Sequence, residues 1–168
     1  QLKMFGAEIY VSSLVAVSMT RIMGAIMTGI ILAGRTGASY AAVIGTMQVN
    51  EEIDALTTLG VAPSDYLIMP RVLALTAMTP LLVLYSDFMG GFIVGVGILG
   101  LDPMEYYTFT QKGFNINNLW VGMVHGAVYG MLIAITGCYQ GLRCGRNAEA
   151  VGKATTSAVV YSIVGIVL

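Results

Sequence analysis

The chain has 168 residues, of which 57% are hydrophobic and only 10% charged, and its formal net charge is −1. Soluble domains carry about 25% charged residues, and one small core cannot hide so large an apolar surplus from water, so the composition calls for a bilayer as solvent. The small net charge excludes a nucleic-acid footprint, and a single histidine with two cysteines leaves too few ligands for a structural metal centre.

Four apolar blocks are expected. The sequence opens at Gln1 and closes at Leu168 inside the last of them, so it reads as part of a longer protein with a further membrane segment upstream. The first block, Ile9 to Val49, is interrupted by Arg21 and by Gly34-Arg35-Thr36-Gly37. A span needs about 20 apolar residues, so this block is predicted to break near Arg21–Gly24, leaving a short outer helix and then a span that ends around Met47. The polar stretch Gln48 to Asp65 follows. Asn50 is placed to cap a short helix whose first turn holds Glu51, Glu52 and Asp54, where the helix dipole favours acids. Gly60 and Pro63 stop it. The second block, Tyr66 to Leu101, contains Arg71, Pro80 and Asp87 and can span with a tilt or a kink at Pro80. Leu101 to Asn118 reads as a loop. The third block, Leu119 to Leu142, fits one span, and the fourth begins near Ala154. The fold class is all-α: a polytopic transmembrane helical bundle, one domain over residues 1–168, with a short helix outside the membrane core.

Orientation follows from basic residues beside the spans. If 48–65 and 143–153 share a side, that side collects Arg35, Arg71, Arg143, Arg146 and Lys153 against Lys3 and Lys112 on the other. The excess marks it as cytoplasmic. The short helix then carries an apolar face of Ile53, Leu56 and Leu59. Two readings are open for it: a docking element for a partner, or an amphipathic helix lying on the membrane surface. Its Asp54-Ala55-Leu56 with Gly60 is loosely similar to the Glu-Ala-Ala…Gly loop that ABC importers seat in an ATPase groove.

Two ionisable groups stand within apolar runs, where they are costly and usually face a cavity or a partner. Arg21 can meet a lipid phosphate, whose geometry matches a guanidinium fork, or snorkel and pair with Glu8. Asp87 is either a structural acceptor near Pro80 or a pathway residue. Gly122, Gly126 and Gly130 form a small-residue ridge for close helix packing, with His125 beside it as a packed or hydrogen-bonding residue. Cys138 and Cys144 read as small apolar residues. Gly145 to Lys153 has the wrong spacing for a phosphate-binding loop, so the chain itself is not expected to bind ATP, and one His supports no nucleophile–base pair.

The motifs Arg21-Ile-Met-Gly24, Leu32-Ala-Gly-Arg-Thr-Gly37, Ile44-Gly-Thr-Met47, Glu51-Glu-Ile-Asp-Ala-Leu56 and Pro70-Arg-Val-Leu-Ala74, taken in order, resemble the MlaE/YrbE permease family. Gly152-Lys-Ala-Thr-Thr156 resembles that family's last cytoplasmic loop. The resemblance implies a non-enzymatic, homodimeric permease in the bacterial inner membrane. Its partners would be cytoplasmic ABC ATPase subunits that bind ATP and Mg, an MCE-domain lipid-binding protein and a small STAS-type subunit. The implied task is phospholipid transport between the inner and outer membranes of a Gram-negative envelope, or transport of a related lipid elsewhere. It makes Glu51, Glu52, Ile53, Asp54, Leu56 and Leu59 the ATPase-coupling helix and places Arg21 near a lipid cavity at the dimer interface; Phe5, Glu8, Arg21, Gly24 and Asp87 are the candidate pathway residues. This sequence departs from the pattern at Ile22 and Val43, where the family often has Glu, and at Ala25, where it often has Pro. Two other classes stay open: an ion-coupled secondary transporter, which would show inverted repeats and a midplane cluster of acids, and a structural scaffold subunit, which would tolerate alanine throughout the short helix.

Overall fold

The computed structural model describes Leu14, residues 17–93, Met104 and residues 116–168. Phe5 and Glu8 lie outside the described residues, as does most of the loop expected between Leu101 and Asn118. Every regular element described is a helix. We label them α1 (Met19–Val49), α2 (Glu52–Thr58), α3 (Met69–Phe92, opened by a π turn at Ser64–Ile68), α4 (Ile116–Leu142) and α5 (Ala148–Val167). All but α2 are long and apolar enough to cross a membrane, which makes this a multi-pass membrane protein. Between 22% and 28% of each most apolar window is buried, so the greater part of each span turns its apolar side chains outward, as a lipid solvent permits.

The break expected near Arg21–Gly24 is absent. The chain stays helical through that point and widens instead into a π turn at Met19–Met23, with the Gly24 amide bonded back to the Met19 carbonyl. A second π turn, Ala33–Gly37, covers the Gly34-Arg35-Thr36-Gly37 interruption. Hydropathy sees a discontinuity in both places, whereas the backbone absorbs it by inserting a residue into the turn. As a regular α-helix α1 would measure about 46 Å, well beyond a hydrocarbon core of about 30 Å. Arg35 lies in its interior rather than beside its end, which weakens Arg35 as an orientation marker.

Three further boundaries differ. Asn50 does not cap α2: Glu51 occupies the cap with φ 60, no side chain caps the amides, and Asn50 Nδ2 donates to Glu52 Oε1 at 3.3 Å. Gly60 ends the helix region with φ 78, a conformation glycine adopts without a Cβ penalty. α5 begins at Ala148, six residues before the predicted start, because Asn147 Oδ1 accepts from the Ala150 amide at 2.8 Å and caps a polar first turn. The Gly152–Thr156 motif is therefore helical rather than a loop. α4 begins at Ile116, and α3 continues through Pro80, whose missing N–H leaves the carbonyl one turn earlier without its usual donor.

The contacts divide the chain into two compact units, Gln1–Ala25 with Pro80–His125, and Ile26–Thr79 with Gly126–Leu168. In the second unit two clusters form the core. Ala33, Leu75, Ile133, Ala134 and Ile166 make one, and Ile44, Ile53, Leu67 and Cys138 the other. Small residues let the backbones approach. A Cβ on Gly137 would stand 2.8 Å from the Gly37 carbonyl oxygen, one on Gly141 2.7 Å from Ile44 Cβ, and one on Gly130 would strike Thr79 Oγ1. Across α4 and α5, Thr136 and Ser162 share a hydroxyl hydrogen bond of 2.6 Å, and Ser162 is fully buried.

Candidate functional site

Two places gather the predicted residues. The first is α2 with its flanks, in the second unit. Its sequence puts Ile53 and Leu56 on one face, and that face turns inward: Ile53 is 6% exposed within the Ile44–Leu67–Cys138 cluster, and Leu56 packs against the same cluster with Leu142. The expected apolar docking face is therefore divided. Ile53 and Leu56 anchor the helix to its own bundle, and Leu59 is left 77% exposed. The outward face consists of Glu52, Ala55, Thr58 and Leu59, continued by Val61 and by Tyr66 at 66% exposure. Thr57 and Thr58 bond their own helix, donating to the Asp54 and Ala55 carbonyls at 2.7 Å each.

The acids of α2 meet a base that sequence reading did not single out as a partner. Arg146 Nη2 donates to Asp54 Oδ2 at 2.7 Å, and its Nη1 stands 3.7 Å from Glu51 Oε1. Residues 48–65 and 143–147 thus share one end of the second unit. Ninety-two positions separate Asp54 from Arg146, so no local spacing could reveal the pair. The acid-rich first turn was the available hint. Cys144, in the same turn, is buried and free, and its Sγ donates to the Gly145 carbonyl at 3.3 Å. Burial pushes its thiol pKa up, which keeps it a packing residue.

The second place is in the first unit, around the π turn at Met19–Met23. Arg21 is exposed there beside exposed Ile22 and Met23, and it makes no ion pair with any described residue. Gly24 follows at once, and its missing side chain is what admits the Asp87 carboxylate, whose Oδ1 touches the space a Cβ would fill. Oδ1 is buried and has no hydrogen-bond partner among the described residues. Asp87 is thus seated beside Gly24, a full two turns from Pro80. Gly122 packs against the Thr20 carbonyl, again too close for a Cβ. Gly126 is buried on the same face of α4. His125 Nδ1 lies 2.8 Å from the Val121 carbonyl, an acceptor only, so Nδ1 carries the hydrogen of that bond and the ring is tied to its own helix. The structure therefore brings Gly24 and Asp87 together with Arg21 on the adjoining turn. Among the described residues no cluster of three metal-ligating side chains occurs.

The continuation of the glycine ridge went unread in the sequence. Gly137 and Gly141 repeat the four-residue spacing further along α4, and both are buried. In the sequence Arg71 is an orientation charge and part of the Pro70–Ala74 motif, with no contact assigned to it. It sits 5.6 Å over the Tyr40 ring, a cation–π contact between α3 and α1 within the second unit.

The comparisons with known proteins agree with this architecture. A family model described as Permease MlaE matches residues 1–168. A probable ABC transporter permease protein of Rickettsia typhi is 42% identical over 167 residues, which cover 98% of this chain and 64% of that one. A probable ABC transporter permease protein of Synechocystis is 34% identical over 165 residues, 96% of this chain and 63% of that one. The chloroplastic protein TRIGALACTOSYLDIACYLGLYCEROL 1 of Arabidopsis thaliana is 33% identical over 159 residues, 93% of this chain and 45% of that one. The chain thus spans a little under two thirds of the length of the bacterial relatives. A match that runs from the first residue to the last, on a chain with four helices long enough to span, decides the matter: the chain belongs to the MlaE permease family.

Proposed function

We propose that the chain is the permease subunit of an ABC transporter that moves phospholipid, or a related lipid, between the inner and outer membranes of a bacterial envelope. In this reading two copies form a lipid-sized chamber in the inner membrane. Cytoplasmic ATPase subunits bind ATP and Mg and supply the work, an MCE-domain protein exchanges the lipid, and a small STAS-type subunit accompanies the ATPase. The chain itself binds no cofactor and catalyses no reaction.

The observation that carries the reading is the family match over a chain whose short helix, α2, stands outside the spans with a ready outward face. A helix pinned by Ile53 and Leu56 and open at Glu52, Ala55, Thr58 and Leu59 suits the task of receiving a push and passing it into the bundle. Arg143, Arg146 and Lys153 gather at the same end, which favours placing it on the cytoplasmic side. A lipid cargo is supported by the Arabidopsis relative, whose name is that of a galactolipid. It is supported too by Arg21, a cation set among exposed Ile22 and Met23. A guanidinium fork beside apolar side chains suits an amphiphile with a phosphate head. Closure of the ATPase moves α2, the chamber changes shape, and the difference in lipid affinity between the two shapes gives the transport its direction.

Copurification tests the ATPase contact. Ala55→Asp, Thr58→Asp and Leu59→Asp alter only the outward face, so the folded permease should be recovered without its ATPase. Continued binding by all three variants would rule α2 out as the docking element. For the cargo, Arg21→Ala should lower the phospholipid carried through purification, read by mass spectrometry, without lowering the melting temperature; unchanged lipid content removes Arg21 from the pathway.

A further inference from the structure

We propose that α2 and the turn 143–147 move as one body, and that Arg146 is the positioning residue that hands the motion of α2 to α5. The inference rests on the reading of α2 as the element an ATPase pushes, and it adds where the push goes. Among the described residues, the two ion pairs of Arg146 are the only ones between distant parts of the chain, tying the start of α2 to the α4–α5 turn. One guanidinium faces the cap and the first turn of one short helix, Asp54 at 2.7 Å and the cap residue Glu51 at 3.7 Å. Asp54 accepts a hydrogen bond from one arm of the planar fork while Glu51 draws the other arm as an ion pair, so the group resists rotation more than a point charge would.

The route beyond Arg146 is short. Asn147, the next residue, caps α5 by accepting from the Ala150 amide at 2.8 Å. The first turn of α5 then lies on α1: the space left by Gly45 is lined at 3.4 Å by Cys144 Sγ and by both Val151 methyls. Further along, Ser162 of α5 is bonded to Thr136 at 2.6 Å and borders Gly37 of α1. A displacement of α2 therefore reaches α5 through Asp54, Arg146 and the Asn147 cap, and α5 carries it along α1. The apolar anchors Ile53 and Leu56 lead a second way, into Leu142 and Ile44, so removing Arg146 leaves α2 seated and interrupts only the path to α5. Glu51 supports this role. It holds a left-handed conformation at φ 60 without glycine's freedom, a backbone state that persists where its surroundings over-determine it, and its carboxylate faces Arg146. Exposed ion pairs add little to stability. The readout of this one is mechanical.

The test uses the permease with its ATPase, reconstituted in vesicles of phosphatidylethanolamine and phosphatidylglycerol with a fluorescent phosphatidylethanolamine as probe. Three quantities are read: ATPase retained, ATP hydrolysed, and probe moved per ATP. Arg146→Ala should retain the ATPase and its hydrolysis, and in both Arg146→Ala and Asp54→Ala probe moved per ATP should fall about fivefold or more, the lower end of ordinary allosteric coupling. The double alanine variant should be no worse than either single one, since both break the same link. The exchanged pair, Asp54→Arg with Arg146→Asp, should recover at least half of the loss, which a merely misfolded variant would not do. Wild-type transport per ATP in Arg146→Ala, or losses that simply add in the double variant, would overturn the relay. Loss of the ATPase from Arg146→Ala would overturn it too, by making the turn a docking surface, yet would leave α2 docking intact. An ATPase that never binds the wild-type chain sinks both readings.

Discussion

Gly137→Ala carries the sharpest stability prediction, because its neighbour is backbone. A Cβ at this position would stand 2.8 Å from the Gly37 carbonyl oxygen and 3.4 Å from both Gly37 Cα and Tyr40 Cβ. Ordinary contact begins near 3.4 Å, so α4 has to withdraw from α1 by about 0.6 Å, in an interior packed as densely as a molecular crystal. Overpacking of this kind costs about 1–3 kcal/mol. The alanine also gains about 1 kcal/mol of helix propensity, which leaves a net loss of about 1 kcal/mol. Gly152→Ala is the matched control. It is helical too, but nothing lies within 4 Å of the new Cβ, so only the propensity gain of up to about 1 kcal/mol remains. The assay is reversible unfolding of the purified protein in mixed micelles, followed by circular dichroism. The two variants should move to opposite sides of the wild type. A Gly137→Ala protein as stable as wild type would show that the α1–α4 approach is loose and that the packing argument is wrong.

Other outcomes follow from single contacts. Ile53→Ala opens a hole in the Ile44–Leu67–Cys138 cluster and should cost about 2–4 kcal/mol, seen in the same unfolding assay, whereas Leu59→Ala, 77% exposed, should be silent there. Ser162→Ala removes the bond to Thr136 and should cost about 0.6–2 kcal/mol, the range for hydroxyl contacts between membrane helices; proteolysis at the α4–α5 turn should rise with it. Glu51→Gly relieves the left-handed φ and should stabilise by up to about 1 kcal/mol while reducing probe moved per ATP, because the Arg146 contact at 3.7 Å goes with it.

Much of this protein was legible before its structure. Residues such as Ile133, Ala134 and Ile166 belong to apolar runs, and runs of that length have one solution in lipid, the helix that satisfies its own backbone. Polar punctuation placed the short helix between Asn50 and Gly60, and the ordered motifs pointed to the family. What composition could not reach was anything set by a partner distant in the chain. Ile53 and Leu59 are both apolar and six residues apart on one short helix, yet one is core and the other surface, a division made by Ile44, Leu67 and Cys138. Asp54 reads as a helix-dipole acid until Arg146 appears opposite it. The π turns of α1 replaced a predicted break because helix–helix packing, rather than local hydropathy, decides whether a backbone parts or widens. Gly24 stands out in the sequence only through its motif, and its physical role appears when the Asp87 carboxylate is found where its Cβ would be. Sequence alone therefore determined the solvent, the element type and the family. Tertiary structure decided which face of each helix is inside and which charges meet, because those outcomes depend on separations through space that the chain's own order does not encode locally.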